Sequence, residues 1–261
     1  MQVLLGETRT KVDLIPKYEY ELNERVTLGA QLGYEIVRYD ADGAQSNTDY
    51  DFAIVYGFTR WALTPVSDVT VGAYASNYQA QDDTTETDAY GGRLGYGYRW
   101  SEVVGFEAML FYEQNDTTDF VPVRFEDSTS NWGGQLTAYR EHEVSRWRFT
   151  LSRKYIPTGD GGKAESDQLR LQYDRDLSER LSLRGSGRYE SRNSLSTTSG
   201  GGADRDYARA DLFVQWFMTE TWYVRGGYSY IWVDRENASS SADNNQLFVS
   251  AGYRGLRRQR R

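Results

Sequence analysis

The chain has no cysteine, one histidine, four prolines and no long apolar run. Without cysteine there is no disulfide framework, no thiolate metal site and no cysteine nucleophile. The lone His142 lies between Glu141 and Glu143 at a short turn. It is read as a surface residue, because a Ser/His/Asp arrangement needs its imidazole held between nucleophile and acid. No segment approaches the roughly 20 apolar residues of a spanning helix. The formal net charge of −8 disfavours a nucleic-acid partner. Met1-Gln-Val-Leu-Leu-Gly6 has no basic stretch followed by an apolar one, so any signal peptide is expected to be absent or already removed.

What is present is aromatic surface and a period of two. The 261 residues include 21 Tyr, 10 Phe and 7 Trp, more than a disordered polar chain carries. Val26, Leu28, Ala30, Leu32 and Tyr34 alternate with polar or small residues, as do Leu169, Leu171 and Tyr173, and Leu247, Val249, Ala251 and Tyr253. Successive side chains of a strand point to opposite faces, so each segment has one apolar face. In the third segment the apolar set is taken to be Tyr50, Phe52, Ile54, Tyr56 and Phe58, with Asp51 on the polar face.

Thirteen strands are expected near 11–22, 26–38, 49–61, 68–80, 88–100, 103–114, 131–142, 146–156, 166–177, 181–192, 206–218, 221–234 and 244–255. At about ten to thirteen residues each they exceed the usual soluble strand of about five or six and match the roughly 9–11 that cross a bilayer at a tilt. Short connections such as Asn23-Glu24-Arg25 and Ser178-Glu179-Arg180 alternate with long polar ones at 39–48, 81–87, 115–130, 157–165, 193–205 and 235–243. Short turns on one side and long loops on the other is the layout of an outer-membrane barrel. Trp61, Trp100, Trp147, Trp216 and Trp222 stand beside the short turns, and Trp132 and Trp232 lie toward the long loops, where amphipathic rings suit the lipid–water boundary. A soluble β-sandwich is the competing architecture, disfavoured by strand length and turn asymmetry.

The expected fold is therefore all-β: a transmembrane, antiparallel, up-and-down barrel of about 14 strands (12–16) in a single domain, 1–261. Thirteen is odd, whereas bacterial single-chain barrels have even counts. Either Gln2–Gly6 adds a short first strand with Glu7–Thr10 as a tight outer loop, or the chain is part of a longer barrel lacking a native N-terminal portion. Leu256–Arg261 is expected to be a frayed, solvated end rather than a functional basic tail.

Parity lists the lumen face. Arg148, Lys154, Arg170, Arg184, Arg188, Arg209, Arg225 and Arg254 form a basic ladder, with Glu19, Glu21, Glu35 and Asp51 as opposing acids. Charged walls set solute selectivity. The ladder would guide anionic solutes past Tyr74, Tyr78 and Tyr139, unless Arg and Glu pair across strands and plug the lumen. In the long segment 115–130, Phe120, Val123, Arg124 and Phe125 are candidates for an inward-folded constriction, against an ordinary outer loop. Arg60, Arg140, Arg153 and Arg175 have lipid-facing parity near strand ends, where long basic stems reach the headgroups.

Enzymatic chemistry is not expected. Glu107 and Glu113 share the inner face but stand about 20 Å apart along one strand by the per-residue rise. The Gly159–Lys163 and Asp40–Gly43 stretches are incomplete fragments of phosphate and calcium loops. No cofactor or metal is implied.

The phrases Leu22-Asn-Glu-Arg-Val-Thr-Leu28, Leu177-Ser-Glu-Arg-Leu-Ser-Leu183, Trp222-Tyr-Val-Arg-Gly-Gly-Tyr-Ser-Tyr230 and Phe248-Val-Ser-Ala-Gly-Tyr253 resemble the type 2 β-barrel porin family of bacterial outer-membrane proteins. The similarity runs over most of the chain and is one of style. It implies polysaccharide passage or export across the outer membrane, with periplasmic export components as partners alongside membrane lipid and lipopolysaccharide. The reading that follows is a bacterial outer-membrane channel for anionic solutes or polysaccharide. The alternative is a non-conducting barrel acting as scaffold or surface-interaction module through its long acidic loops.

Overall fold

The computed structural model describes residues 8–40, 49–81, 85–120, 124–157, 163–194, 204–235 and 241–253. Fourteen strands account for nearly all of them. They are β1 (Thr8–Leu14), β2 (Lys17–Asn23), β3 (Val26–Asp40), β4 (Tyr50–Thr64), β5 (Ser67–Ala80), β6 (Thr85–Arg99) and β7 (Val104–Asp119). The second half comprises β8 (Phe125–His142), β9 (Ser145–Pro157), β10 (Lys163–Ser178), β11 (Leu181–Ser194), β12 (Arg205–Phe217), β13 (Trp222–Arg235) and β14 (Ala242–Tyr253). From β3 to β14 each strand pairs antiparallel with the next, in one up-and-down sheet.

Fourteen is reached by a different route from the one expected. β1 and β2 both pair with β3, Leu14 opposite Tyr34 and Lys17 opposite Gln31, so one register runs through both. They are a single ribbon interrupted at Ile15-Pro16. Proline has no N–H to give a ladder and is tolerated on an edge strand; its carbonyl still accepts from Leu32 N at 3.0 Å. The expected extra strand Gln2–Gly6 lies outside the described residues. Thr8–Thr10, read as part of a tight loop, belong to β1.

Four of the short turns share a local cause. Asn23 Oδ1 accepts from the backbone N–H groups of Arg25 and Val26 at 2.9 and 3.0 Å. Ser101, Ser178 and Thr219 hydroxyls accept in the same way from the residues two and three ahead. A short polar side chain that bonds its own downstream backbone closes the chain tightly. At the other end the strands outrun the sequence pattern: β7 and β8 stay paired from Val104 opposite Arg140 to Asp119 opposite Phe125. The segment 115–130 is thus mostly hairpin, and 121–123 lie outside the described residues.

One face of the sheet is sheltered and the other bare. On β5 the even residues Tyr74, Tyr78 and Ala80 are buried while Val71 is 44% exposed. Leu28, Leu32, Leu94, Leu110, Leu151, Leu171 and Leu212 form an exposed apolar band on the outer face. On the sheltered face, rings lie over glycines. A Cβ at Gly29 would meet the Phe58 ring and one at Gly72 would meet Tyr56, so glycine there is what lets the rings lie down. Val37, Tyr50, Tyr78 and Ala80 form a small core on this face, with Tyr50 and Tyr78 rings 5.1 Å apart.

β4 reverses the expected parity. Tyr50, Phe52, Ile54, Tyr56 and Phe58 face inward, opposite Glu35 and Tyr74 on the neighbouring strands. Ala53, Val55 and Gly57 are the exposed ones, outweighed in the sequence by the larger aromatic residues that alternate with them. Asp51 therefore lies on the outer face, bonded to Arg38 at 2.8 Å, and is no lumen acid. Arg60 is corrected in the opposite sense: it shares the inner face and pairs in register with Thr70.

The described sheet is not closed. β14 pairs only with β13, and β1 and β2 only with β3, leaving a free edge on each side.

Candidate functional site: an arginine-rich inner wall

The ladder residues Arg148, Lys154, Arg170, Arg184, Arg188, Arg209 and Arg225 fall on one face, by the cross-strand register of β8 to β13. Arg254 lies outside the described residues. Four of the seven meet carboxylates on the same face. Arg184 pairs with Asp174 at 3.1 Å, Arg209 with Asp211 at 2.8 Å and Arg148 with Glu141 at 3.5 Å, and Arg188 donates to Glu190. Arg225 instead stacks on Phe213, its guanidinium carbon 3.8 Å from the ring centroid. Asp211 also accepts from the hydroxyls of Ser229 and Ser186, at 2.6 and 3.3 Å.

Three arginines escaped the sequence reading. Arg192, Arg205 and Arg235 share this face at the long-loop end. Arg192 has the same parity as Arg188 and was legible from that alone. Arg205 and Arg235 lie just beyond the expected strand bounds, where parity cannot be applied.

The acids at the other end of the sheet are partly neutralised. Lys11 pairs with Glu35 at 2.8 Å and with Asp13 at 3.3 Å, and Lys17 pairs with Glu19 at 2.7 Å. Glu21 lies on the same face, opposite Thr27. Between these two ends, β4 to β8 form an aromatic stretch. The Arg93 guanidinium stands over Tyr74 and Tyr56, 4.6 and 5.0 Å from the ring centroids, and Tyr74 donates to Glu113 at 2.6 Å. Below it a hollow of about 510 Å³ is lined by Arg60, Asp68, Glu107 and Tyr139 among others. Glu107 and Glu113 point to this face from β7, too far apart to share a substrate atom.

Of the candidate constriction residues, Phe125 opens β8 opposite Asp119, and Arg124 pairs with Glu126 at 2.7 Å. Phe120 and Phe125 are exposed; Val123 lies outside the described residues. Arg140, Arg153 and Arg175 are on the outer face as expected, and Arg153 is bonded to Asp167 through two nitrogens at 2.7 and 2.6 Å.

A long-stranded antiparallel meander with an apolar outer band and a charged inner face has solved counterparts. The copper transporter OprC superposes with a TM-score of 0.60 at 10% identity, over 87% of this chain and 48% of that one. The fold is that of the strand wall of an outer-membrane β-barrel. The alcaligin outer-membrane receptor FauA of Bordetella pertussis matches with a TM-score of 0.56 at 12% identity over 95% of this chain and 51% of its own. The siderophore receptor PiuA of Acinetobacter baumannii gives 0.55 at 10% identity, with coverages of 93% and 49%. The chain thus spans about half the length of these barrels. At such identities the likeness is one of fold. No protein-family model matches the chain, and no curated protein sequence does.

Proposed function

We propose that the chain forms transport wall in a bacterial outer-membrane barrel, with its arginine-rich face toward a lumen that carries anionic solutes. The observation that carries this reading is the segregation of charge. Seven basic residues from five strands share the face opposite an unbroken apolar band. In lipid, backbone polar groups must be satisfied within a closed sheet, so a wall of this kind belongs to a barrel with lipid on the outside and a polar interior. Fold counterparts that are transporters and receptors support a transport role. The porin-like phrases of the sequence favour polysaccharide among the anionic solutes and periplasmic export components as partners.

A second reading has an observation of its own. The ion pairs on Arg148, Arg184, Arg188 and Arg209 neutralise much of the ladder from within the sheet, as a plugged, non-conducting scaffold would. Planar-bilayer recording of the full-length protein separates the two. A channel gives steady current with anions preferred over cations, and Arg148→Gln with Arg184→Gln lowers that preference toward unity. A well-inserted protein that passes no current establishes the scaffold instead.

A further inference from the structure

We propose that the long-loop half of the inner wall on β10 to β13 is a binding site for an oligoanion, a chain bearing several phosphate or carboxylate groups. The proposal deepens the channel reading and rests on the same lumen-facing assignment. Its basis is the register of the arginines. Arg170 stands directly opposite Arg188, and Arg188 directly opposite Arg209. Four residues nearer the long loops, Arg192 stands opposite Arg205, and Arg205 opposite Arg235. Two lateral rows of three guanidinium groups result. Within a row the side chains start about 5 Å apart, and the rows are separated by about 13 Å of strand.

Like charges placed directly opposite each other destabilise a sheet, and nothing in strand pairing calls for two such rows. Only part of the charge is met internally. Glu190 is buried and ties the rows together, accepting from Arg188 of one and from Arg192 of the other, the latter at 2.7 Å. Asp211 holds Arg209. Among the described residues, Arg170, Arg205 and Arg235 have no carboxylate within ion-pair distance. Six arginines against two carboxylates leave a local surplus of positive charge in a chain whose net charge is −8. Guanidinium forks suit phosphate and carboxylate, which they bind through paired hydrogen bonds.

Between the rows lies an aromatic face. Tyr207 is two residues from both Arg205 and Arg209, and the guanidinium carbons of Arg188 and Arg205 stand 5.8 and 5.6 Å from its ring centroid. At the inner row a hollow of about 160 Å³ is lined by Arg170, Arg188 and Arg209 with Gln172, Ser186 and Asp211, three guanidinium groups against one carboxylate. A ligand with a single charge can use one row. A chain with groups about 13 Å apart engages both at once, and the second contact is then intramolecular.

The test uses the full-length protein in detergent and four probes: inorganic phosphate, a linear polyphosphate of about ten units, an oligogalacturonate of similar length, and neutral dextran. Calorimetry should show at least one of the two oligoanions binding ten-fold or more tightly than inorganic phosphate, and dextran not binding. Preference for polyphosphate identifies phosphate groups as the ligand chemistry; preference for oligogalacturonate identifies carboxylates. Arg205→Gln with Arg235→Gln should lower oligoanion affinity about ten-fold and leave inorganic phosphate binding within two-fold. Arg175→Gln, on the outer face, serves as the control for folding and charge. Equal affinity for phosphate and both oligoanions, or no loss in the double variant, would overturn the proposal. Single-channel current from the same preparations keeps the two readings apart: row-dependent binding without current sustains the site and removes the channel.

Discussion

At the scale of single residues, the inner wall is built by pairing rings with glycines. A Cβ on Gly91 would lie 2.2 Å from the Tyr112 carbonyl oxygen and 2.9 Å from the Tyr74 ring, and a backbone oxygen cannot move aside as a ring can. Gly91→Ala should therefore lower unfolding stability by about 1–3 kcal/mol, the usual cost of overpacking. Gly187 has nothing within 4 Å of its missing Cβ. Gly187→Ala should leave stability unchanged or raise it by up to about 1 kcal/mol, since alanine restricts the unfolded chain. Urea unfolding of both variants, followed by tryptophan fluorescence, gives the comparison. Two equal losses would mean that ring packing does not account for these glycines. The aromatic residues were visible in the sequence; their partners were not, because a glycine's use depends on the side chain of the next strand.

At the scale of elements, the turns and the strand ends behave differently. Most short turns carry their own instruction, as where Ser178 Oγ accepts from the N–H groups of Arg180 and Leu181 at 3.3 and 3.1 Å. Ser178→Ala should destabilise the β10–β11 hairpin by about 1 kcal/mol, the net worth of such bonds, and raise amide exchange at Leu181; unchanged exchange would show that the turn is held by the strands alone. The short connections and the strands flanking them were accordingly placed from the sequence to within a few residues. The long-loop ends were not, because β7 and β8 continue in register as Asn115–Asp119 opposite Phe125–Thr129, where neither face is apolar. Pattern reading follows the contrast between faces and stops where the contrast stops, although backbone pairing needs no such contrast. That is also why Arg205 and Arg235 were missed.

For the whole molecule, the decisive feature is a sheet whose apolar face is bare. Leu171 sits at the middle of β10 on that face, 49% exposed, and Leu177 near its short-turn end. If lipid covers this face, Leu171→Arg should cost about 2–4 kcal/mol and Leu177→Arg about 0–1 kcal/mol, the depth dependence of a bilayer. Reversible unfolding into urea from phospholipid bilayers measures both. Equal penalties at the two depths would point to a different covering for this face. The open edges at β1–β2 and at β14 belong to this scale too. An unpaired edge in lipid costs several kcal/mol per unsatisfied group, so a lipid covering of the outer face requires both of these edges to find a partner.

The sequence by itself determined the class and which end of the sheet carries the short turns. Period-two alternation over long segments, with polar turns alternately short and long, admits few architectures other than a membrane barrel, because those features follow from strand geometry and bilayer thickness. Most of the basic ladder was also decided there, since parity along one strand needs no partner. Only the tertiary structure decided which face of β4 turns inward, which sends Asp51 outside and Arg60 inside. It alone set the lateral register that aligns Arg170, Arg188 and Arg209 in one row and Arg192, Arg205 and Arg235 in another. Alternation is a property of one strand read alone, whereas register is a relation between strands, fixed by the turn that joins them and by side chains that meet only once the sheet is formed.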